Sequence, residues 1–247
     1  MVSPKGGVGK TTLTANLAAA LLLAGGGKSN GVLTVDLDPQ NMLRLHHGAG
    51  VVDGRGLLPA ALNGGSFQAA CHRSPAGVEC LGYGASSDRQ RQAFERMLQD
   101  DPDWLNTQLD GFDHGLILID TPPGPSVYLR QVMRAADIIM VVLLADAASF
   151  ATLDAVNGYL SEYCGERDRW PGVHYVANQT DWDKPLTRDV VQVMKRTLGS
   201  RTPLWQIHSD MSVQEAFACR QPVTVYNSRS VAARDIRGIA AWLRTLL

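Results

Sequence analysis

The chain has 247 residues, 45% of them hydrophobic and 19% charged, with a formal net charge of −1. That length buries a substantial core, as one large α/β domain or two small ones, and the near-neutral balance excludes an overall basic field of the kind that draws a protein onto nucleic acid. The cysteines Cys71, Cys80, Cys164 and Cys219 show no Cys-x-x-Cys spacing, and no stretch is apolar enough to span a bilayer, so neither a zinc site, a disulfide framework nor a membrane span is expected.

Met1-Val2-Ser3 comes first, short for a buried opening strand, where about five or six residues are usual. Then comes Pro4-Lys5-Gly6-Gly7-Val8-Gly9-Lys10-Thr11-Thr12, running directly into an apolar helix from Leu13 to Leu21. Glycines without a Cβ let successive backbone N–H groups turn inward on an anion, and a helix N-terminus adds its positive dipole end. Lys10 is placed to supply charge to the β- and γ-phosphates of a nucleotide, and Thr11 to offer its hydroxyl to Mg²⁺, as the Gly-Lys-Ser/Thr ending of a P-loop requires. A Walker A loop wants glycine where Pro4 stands. Gly25 to Gly31 reads as a flexible connection.

Val32-Leu33-Thr34-Val35-Asp36 is a β-branched apolar run ending in acid, the pattern of a buried parallel strand that delivers a carboxylate to the sheet edge. Asp38 follows at once. The segment from Asn41 to Gly65 is glycine-rich, with a short helix expected at Leu57–Leu62 and a solvated switch loop around His46-His47, which lack the spacing of a metal pair. A third strand is expected over Val78–Tyr83 and a helix, capped by Ser87, through Leu98. Leu116-Ile117-Leu118-Ile119-Asp120 is the clearest strand, broken by Thr121-Pro122-Pro123-Gly124, and reads as Walker B followed by a second switch.

Helix Val127–Ala135, strand Ile138–Leu144, helix Phe150–Tyr163, strand Val173–Asn178, helix Leu186–Leu198, strand Pro203–His208 and helix Ser230–Leu246 continue the strand and helix alternation. The expected fold is α/β: a doubly wound, mostly parallel sheet with helices on both faces, in a single domain over residues 1–247. The closing helix carries apolar residues at helical spacing with arginines between, and packing on the sheet is expected over binding a membrane. Arg188, Lys195, Arg196, Arg229, Arg234, Arg237 and Arg244 bias the C-terminal half towards basic charge and leave DNA open as a partner.

Lys-Gly-Gly-x-Gly-Lys-Thr with its extra lysine, Lys5, resembles the deviant Walker A loop of the ParA/MinD family of dimerising P-loop ATPases. The resemblance implies binding of ATP and Mg²⁺ by Lys5, Gly6, Gly7, Val8, Gly9, Lys10, Thr11 and Thr12. It also implies a homodimer with ATP at the interface, in which Lys5 reaches the partner's nucleotide. The family's Asp-x-Asp motif matches Asp36 and Asp38. By resemblance Asp38 positions the attacking water, Asp36 supports metal and switch, and Asp120 joins the Mg²⁺ shell through water, which makes Lys5, Lys10 and Asp38 the catalytic set. Asn178 stands where the resembling ATPases keep an asparagine on the adenine edge. A nitrogenase-type iron–sulfur reductase needs cysteines shortly after Walker B, and Thr121 through Ala135 contains none.

Gln214 to Tyr226 running into Ser230 to Ile236, together with Asn41 to His46, resembles the BcsQ family of MinD-like ATPases encoded with bacterial cellulose synthase. What this implies is a cytoplasmic accessory or localisation factor working with cellulose secretion subunits. Hydrolysis would be slow, and recruitment to the inner membrane or cell pole would come through partners. A DNA-partition ATPase of the ParA type, or another MinD-like positioning ATPase, is the alternative reading.

Overall fold

The computed structural model describes residues 1–25, 31–50, 54–165, 171–199 and 202–246. The expected connection over Gly25–Gly31 lies mostly outside them, at residues 26–30. Four strands form one sheet in the order β2 (His72–Arg73), β3 (Glu79–Leu81), β1 (Val32–Asp36), β4 (Leu116–Asp120). Three form a second, β5 (Ile138–Leu144), β6 (Gly172–Thr180), β7 (Leu204–His208). All pairings are parallel except the short β2–β3 ladder.

The N-terminal stub joins the two sheets. Val2 N–H donates to the Met140 carbonyl and Val142 N–H donates to the Val2 carbonyl, both at 2.9 Å. On the other side the Met1 ammonium donates to the Ile119 carbonyl at 2.6 Å. Met1 and Val2 therefore sit between β4 and β5, and the chain winds outward from this point in both directions. In such sheets the ligand crevice lies beyond the carboxyl ends of the strands at the switch point.

Strand side chains alternate between two helical layers. Met140 and Val142 of β5 face the cluster built from α1 (Lys10–Leu23) and α13 (Val231–Leu243). Ile139, Val141 and Leu143 face the cluster containing residues of α7 (Val127–Ala135), α9 (Leu153–Cys164) and α10 (Pro185–Leu198). Runs buried on both faces are apolar throughout for this reason. α13 packs through Ile236, Ile239 and Ala240, and its Trp242 contacts Trp205 of β7 at 5.1 Å between ring centroids.

Several boundaries differ from the periodicity. The expected helix Phe150–Tyr163 is two, α8 (Ala147–Phe150) and α9, because Asp146 caps an earlier turn by accepting from Ser149 N–H at 2.6 Å. α4 (Phe67–Ala70), α6 (Trp104–Leu109), α11 (Met211–Ala218), α12 (Val223–Tyr226) and β2 had no clear sequence signal. In the region after Asp38 the short helix expected at Leu57–Leu62 forms as α3 (Leu57–Asn63), and α2 (Leu43–His46) adds a turn where a loop was expected. The solvated placement of His46-His47 is overturned: both rings are buried. His46 lies on Phe217 at 4.3 Å between centroids, and His47 Nε2 meets the Thr34 hydroxyl at 3.1 Å.

Candidate functional site

The glycine-rich loop turns from the Val2 stub into α1 at the switch point. Gly9 takes a left-handed conformation, φ 92°, and a Cβ there would fall 2.4 Å from Asn178 Nδ2. Only glycine fits. α1 starts at Lys10 with no side chain capping it and no acid in its first turn, so its first amides are left for an anion. Lys10 is buried, and burial lowers its pKa against the opposing pull of Asp120 and Asp38. A buried ammonium between an open helix end and two carboxylates suits a phosphate chain with its metal.

Parallel register sets Asp36 beside Asp120 at the carboxyl ends of β1 and β4. Both are fully buried, yet their surroundings differ. Asp36 Oδ1 accepts from Asp38 N–H at 2.9 Å and its Oδ2 from Leu43 N–H at 3.1 Å. Its carboxylate therefore organises the backbone of the loop that carries Asp38. Desolvation, with the neighbouring Asp120 charge, raises its pKa well above the usual range.

Among the described residues neither oxygen of Asp120 has a hydrogen-bond partner. Burial pushes its pKa up to about 6, opposed by Thr11, the Met1 ammonium and Lys10. A buried carboxyl with both oxygens unoccupied, beside the Thr11 hydroxyl, fits a hard cation such as Mg²⁺. Asp38 is half-exposed at the loop's start, where its Oδ1 accepts from Gln40 N–H at 2.9 Å.

Lys5 does not reach into the loop. Its Nζ pairs with Asp146 Oδ2 at 3.2 Å, both side chains being roughly two-fifths exposed. Asn178, expected on an adenine edge, donates from Nδ2 to the Val8 carbonyl at 2.8 Å, tying the end of β6 to the loop. Thr12 carries a further link, its hydroxyl lying 3.5 Å from His46 Nε2. Asn16 of α1 donates to the Thr12 carbonyl at 2.7 Å and accepts from Val223 N–H of α12. The contacts of His46 with Thr12, Asn16 with Val223 and Asp146 with Lys5 escape sequence reasoning because the partners are remote in the chain.

The structure brings together Gly6 to Thr12, Asp36, Asp38, Asp120 and Asn178, and leaves Lys5 at the rim. A family profile described as "Cellulose biosynthesis protein BcsQ" matches residues 2–243. The chain belongs to the BcsQ family. The BcsQ cellulose biosynthesis protein of Salmonella typhimurium is 27% identical over 241 residues, covering 96% of this chain and 90% of that protein.

Among solved structures, the MinD cell division ATPase of Pyrococcus furiosus matches with a TM-score of 0.75 at 26% identity, covering 100% of this chain and 97% of that one. The septum site-determining protein MinD of Pyrococcus horikoshii, solved with Mg-ADP, matches at 0.77 and 22% identity over 99% of this chain and 94% of that one. The chain thus has the ParA/MinD type of P-loop fold, as its loop implied.

Proposed function

We propose that this BcsQ-family chain is a single-domain, Mg²⁺·ATP-dependent dimerising switch that serves bacterial cellulose synthesis as a cytoplasmic accessory or localisation factor. The observation that carries the nucleotide reading is the loop itself: an uncapped helix start behind Gly9, a buried Lys10 and a carboxylate, Asp120, neither oxygen of which has a hydrogen-bond partner among the described residues. Lys10 and the amides of Gly6 to Thr12 would hold the β- and γ-phosphates, with Thr11 and Asp120 on the Mg²⁺ side. Bound Mg²⁺ offsets the charge that develops on the phosphates as the anhydride breaks.

Asp38, presented by the loop that Asp36 braces, orients the attacking water. Asn178 would turn from the Val8 carbonyl to the adenine edge. Lys5 would leave Asp146 to reach the nucleotide of a second copy, so that ATP becomes part of the interface. An exposed pair of this kind contributes about 1 kcal/mol at most, so it opposes that release only weakly. The cellulose role rests on the family and on the relative's name. Hydrolysis would be slow, with partners drawn from the cellulose secretion subunits.

The experiment is calorimetry of ATP binding with the parent and Lys10→Ala, alongside sedimentation of the parent with ATP and with ADP. Binding lost in Lys10→Ala and a dimer favoured by ATP are the expected results. Unchanged affinity in Lys10→Ala refutes the phosphate assignment, and equal sedimentation in both nucleotides refutes the switch.

A further inference from the structure

Among the described residues only Asn41, Gln179 and Arg220 hold a side chain in the left-handed region, and Asn41, at φ 53°, lies just beyond Asp38. That conformation is costly for a residue with a Cβ, less so for asparagine than for most, and it persists where the surroundings enforce it. The chain on both sides of Asn41 does so.

Asp36 grips the loop twice, its Oδ1 on Asp38 N–H at 2.9 Å and its Oδ2 on Leu43 N–H at 3.1 Å. Between these points the chain must leave the sheet edge, reverse, and return to the same carboxylate. The reversal is a tight turn from Asp38 to Asn41. Pro39 fixes φ at its second position, Asp38 Oδ1 accepts from Gln40 N–H at 2.9 Å, and Asn41 N–H donates to the Asp38 carbonyl at 2.8 Å. A left-handed residue directly after such a turn swings the chain back, which returns Leu43 to Asp36. Arg44 closes the far side, its Nε donating to the Asn41 carbonyl at 3.1 Å.

Glycine would meet the backbone requirement at less strain, so the asparagine side chain adds a second hold. Asn41 is only 7% exposed, and its Oδ1 sits against Gly82, just past the end of β3. A Cβ on Gly82 would fall 3.0 Å from that oxygen. Oδ1 has no hydrogen-bond partner among the described residues, so the fit is steric. The Gly82 carbonyl accepts from Leu57 N–H at 2.8 Å, which fixes the floor of the notch to the start of α3.

We infer that Asn41 is the positioning residue for Asp38, acting through this left-handed turn. The inference rests on the reading of Asp38 as the group that orients the attacking water. A carboxylate with that task must stay within a fraction of an ångström of its place, and Asp38 is joined to the sheet on one side only, through its own N–H on Asp36. The turn closed by Asn41 holds the other side, at the Asp38 carbonyl.

The test uses the parent, Asn41→Ala, Asn41→Gly, Asp38→Ala and the double variant Asp38→Ala with Asn41→Ala. ATP affinity is read by calorimetry, hydrolysis by single turnover, and amide exchange at Leu43 without nucleotide. Asn41→Ala should hydrolyse about tenfold more slowly, with ATP affinity within about twofold and Leu43 exchange at least about tenfold faster. Asn41→Gly should recover most of both losses, because glycine takes the left-handed turn without a Cβ. The double variant should be no slower than Asp38→Ala, since residues that act as one unit are not additive. Parent-like hydrolysis and exchange in Asn41→Ala overturn the inference, as does a glycine variant equally impaired in both. A double variant whose losses multiply, or ATP binding lost in Asn41→Ala, overturns it by giving Asn41 a separate role. Turnover absent in the parent, or unchanged in Asp38→Ala, refutes the water reading alone. Leu43 exchange then decides: faster in Asn41→Ala than in Asn41→Gly supports the turn, and equal rates overturn it.

Discussion

Asp120 holds its carboxyl in a place that opposes charge. With a folded-state pKa of about 6 against 3.8 unfolded, the native protein binds more protons than the unfolded chain between these values. Stability therefore falls as pH rises through that window, by about 3 kcal/mol at most. Asp120→Asn removes this cost. Thermal unfolding without metal should show it above the parent at pH 7.5 by about 5 °C, with the gap closing below pH 4, and with no further gain from Mg²⁺. A lower Tm for the variant at every pH would contradict this account. His47 acts with the opposite sign. Burial, with His72 and His46 nearby, pushes its pKa down to about 3, so the unfolded chain binds the extra proton below 6.5 and stability is lost as pH falls. His47→Gln should flatten the acid limb between about pH 6.5 and 4 while leaving the neutral Tm within a few degrees, read by the same scans. No residue-level pattern announced this, because two adjacent histidines read as polar until Thr34 and Phe217 are seen packed against them.

At the scale of elements, sequence and structure agree where one local signal dominates. α5 (Asp88–Asp100) starts at a complete capping box, Ser87 accepting from Gln90 N–H and Gln90 returning to Ser87 N–H. Ser87→Ala should cost about 1 kcal/mol, a fall of about 2–4 °C in Tm, with nucleotide binding unchanged in calorimetry. Strands β1 and β5 coincide with their apolar runs because they are buried on both faces for most of their length, and β4 does so although Leu116–Leu118 are only half-buried, because its run is apolar throughout. β2 and α6 fail this test: β2 has two residues and exists only through its ladder with β3, and α6 is fastened from outside by Gln131, whose Oε1 accepts from Leu105 N–H at 2.9 Å.

At the scale of the whole molecule, the proposed switch couples the site to a second copy. A ligand that binds a dimer better than a monomer must drive dimerisation. Asp38→Ala should keep ATP and hydrolyse it slowly, so its dimer persists longer than the parent's in sedimentation. Lys5→Ala should keep monomer binding and lose most of the ATP-driven dimer. Asp146→Asn preserves the α8 cap but frees Lys5, and should dimerise with ATP at least as strongly as the parent. If Lys5→Ala dimerises as well as its parent, the lysine has no role across the interface.

The sequence by itself determined the alternating α/β order, the glycine-rich loop and the two strand-end acids, because each depends on neighbours within a few residues: glycine spacing, apolar runs and the charges that end them. Tertiary structure decided the rest. It placed Asp36 and Asp120 side by side through a register between strands 84 residues apart, then gave one of them backbone partners and left the other bare. It seated Lys5 on Asp146, 141 residues away, and Asn178 on the loop, 170 residues away. Contacts at such separations come from how layers pack, and packing is set by the whole chain's burial of apolar surface, which no local pattern encodes.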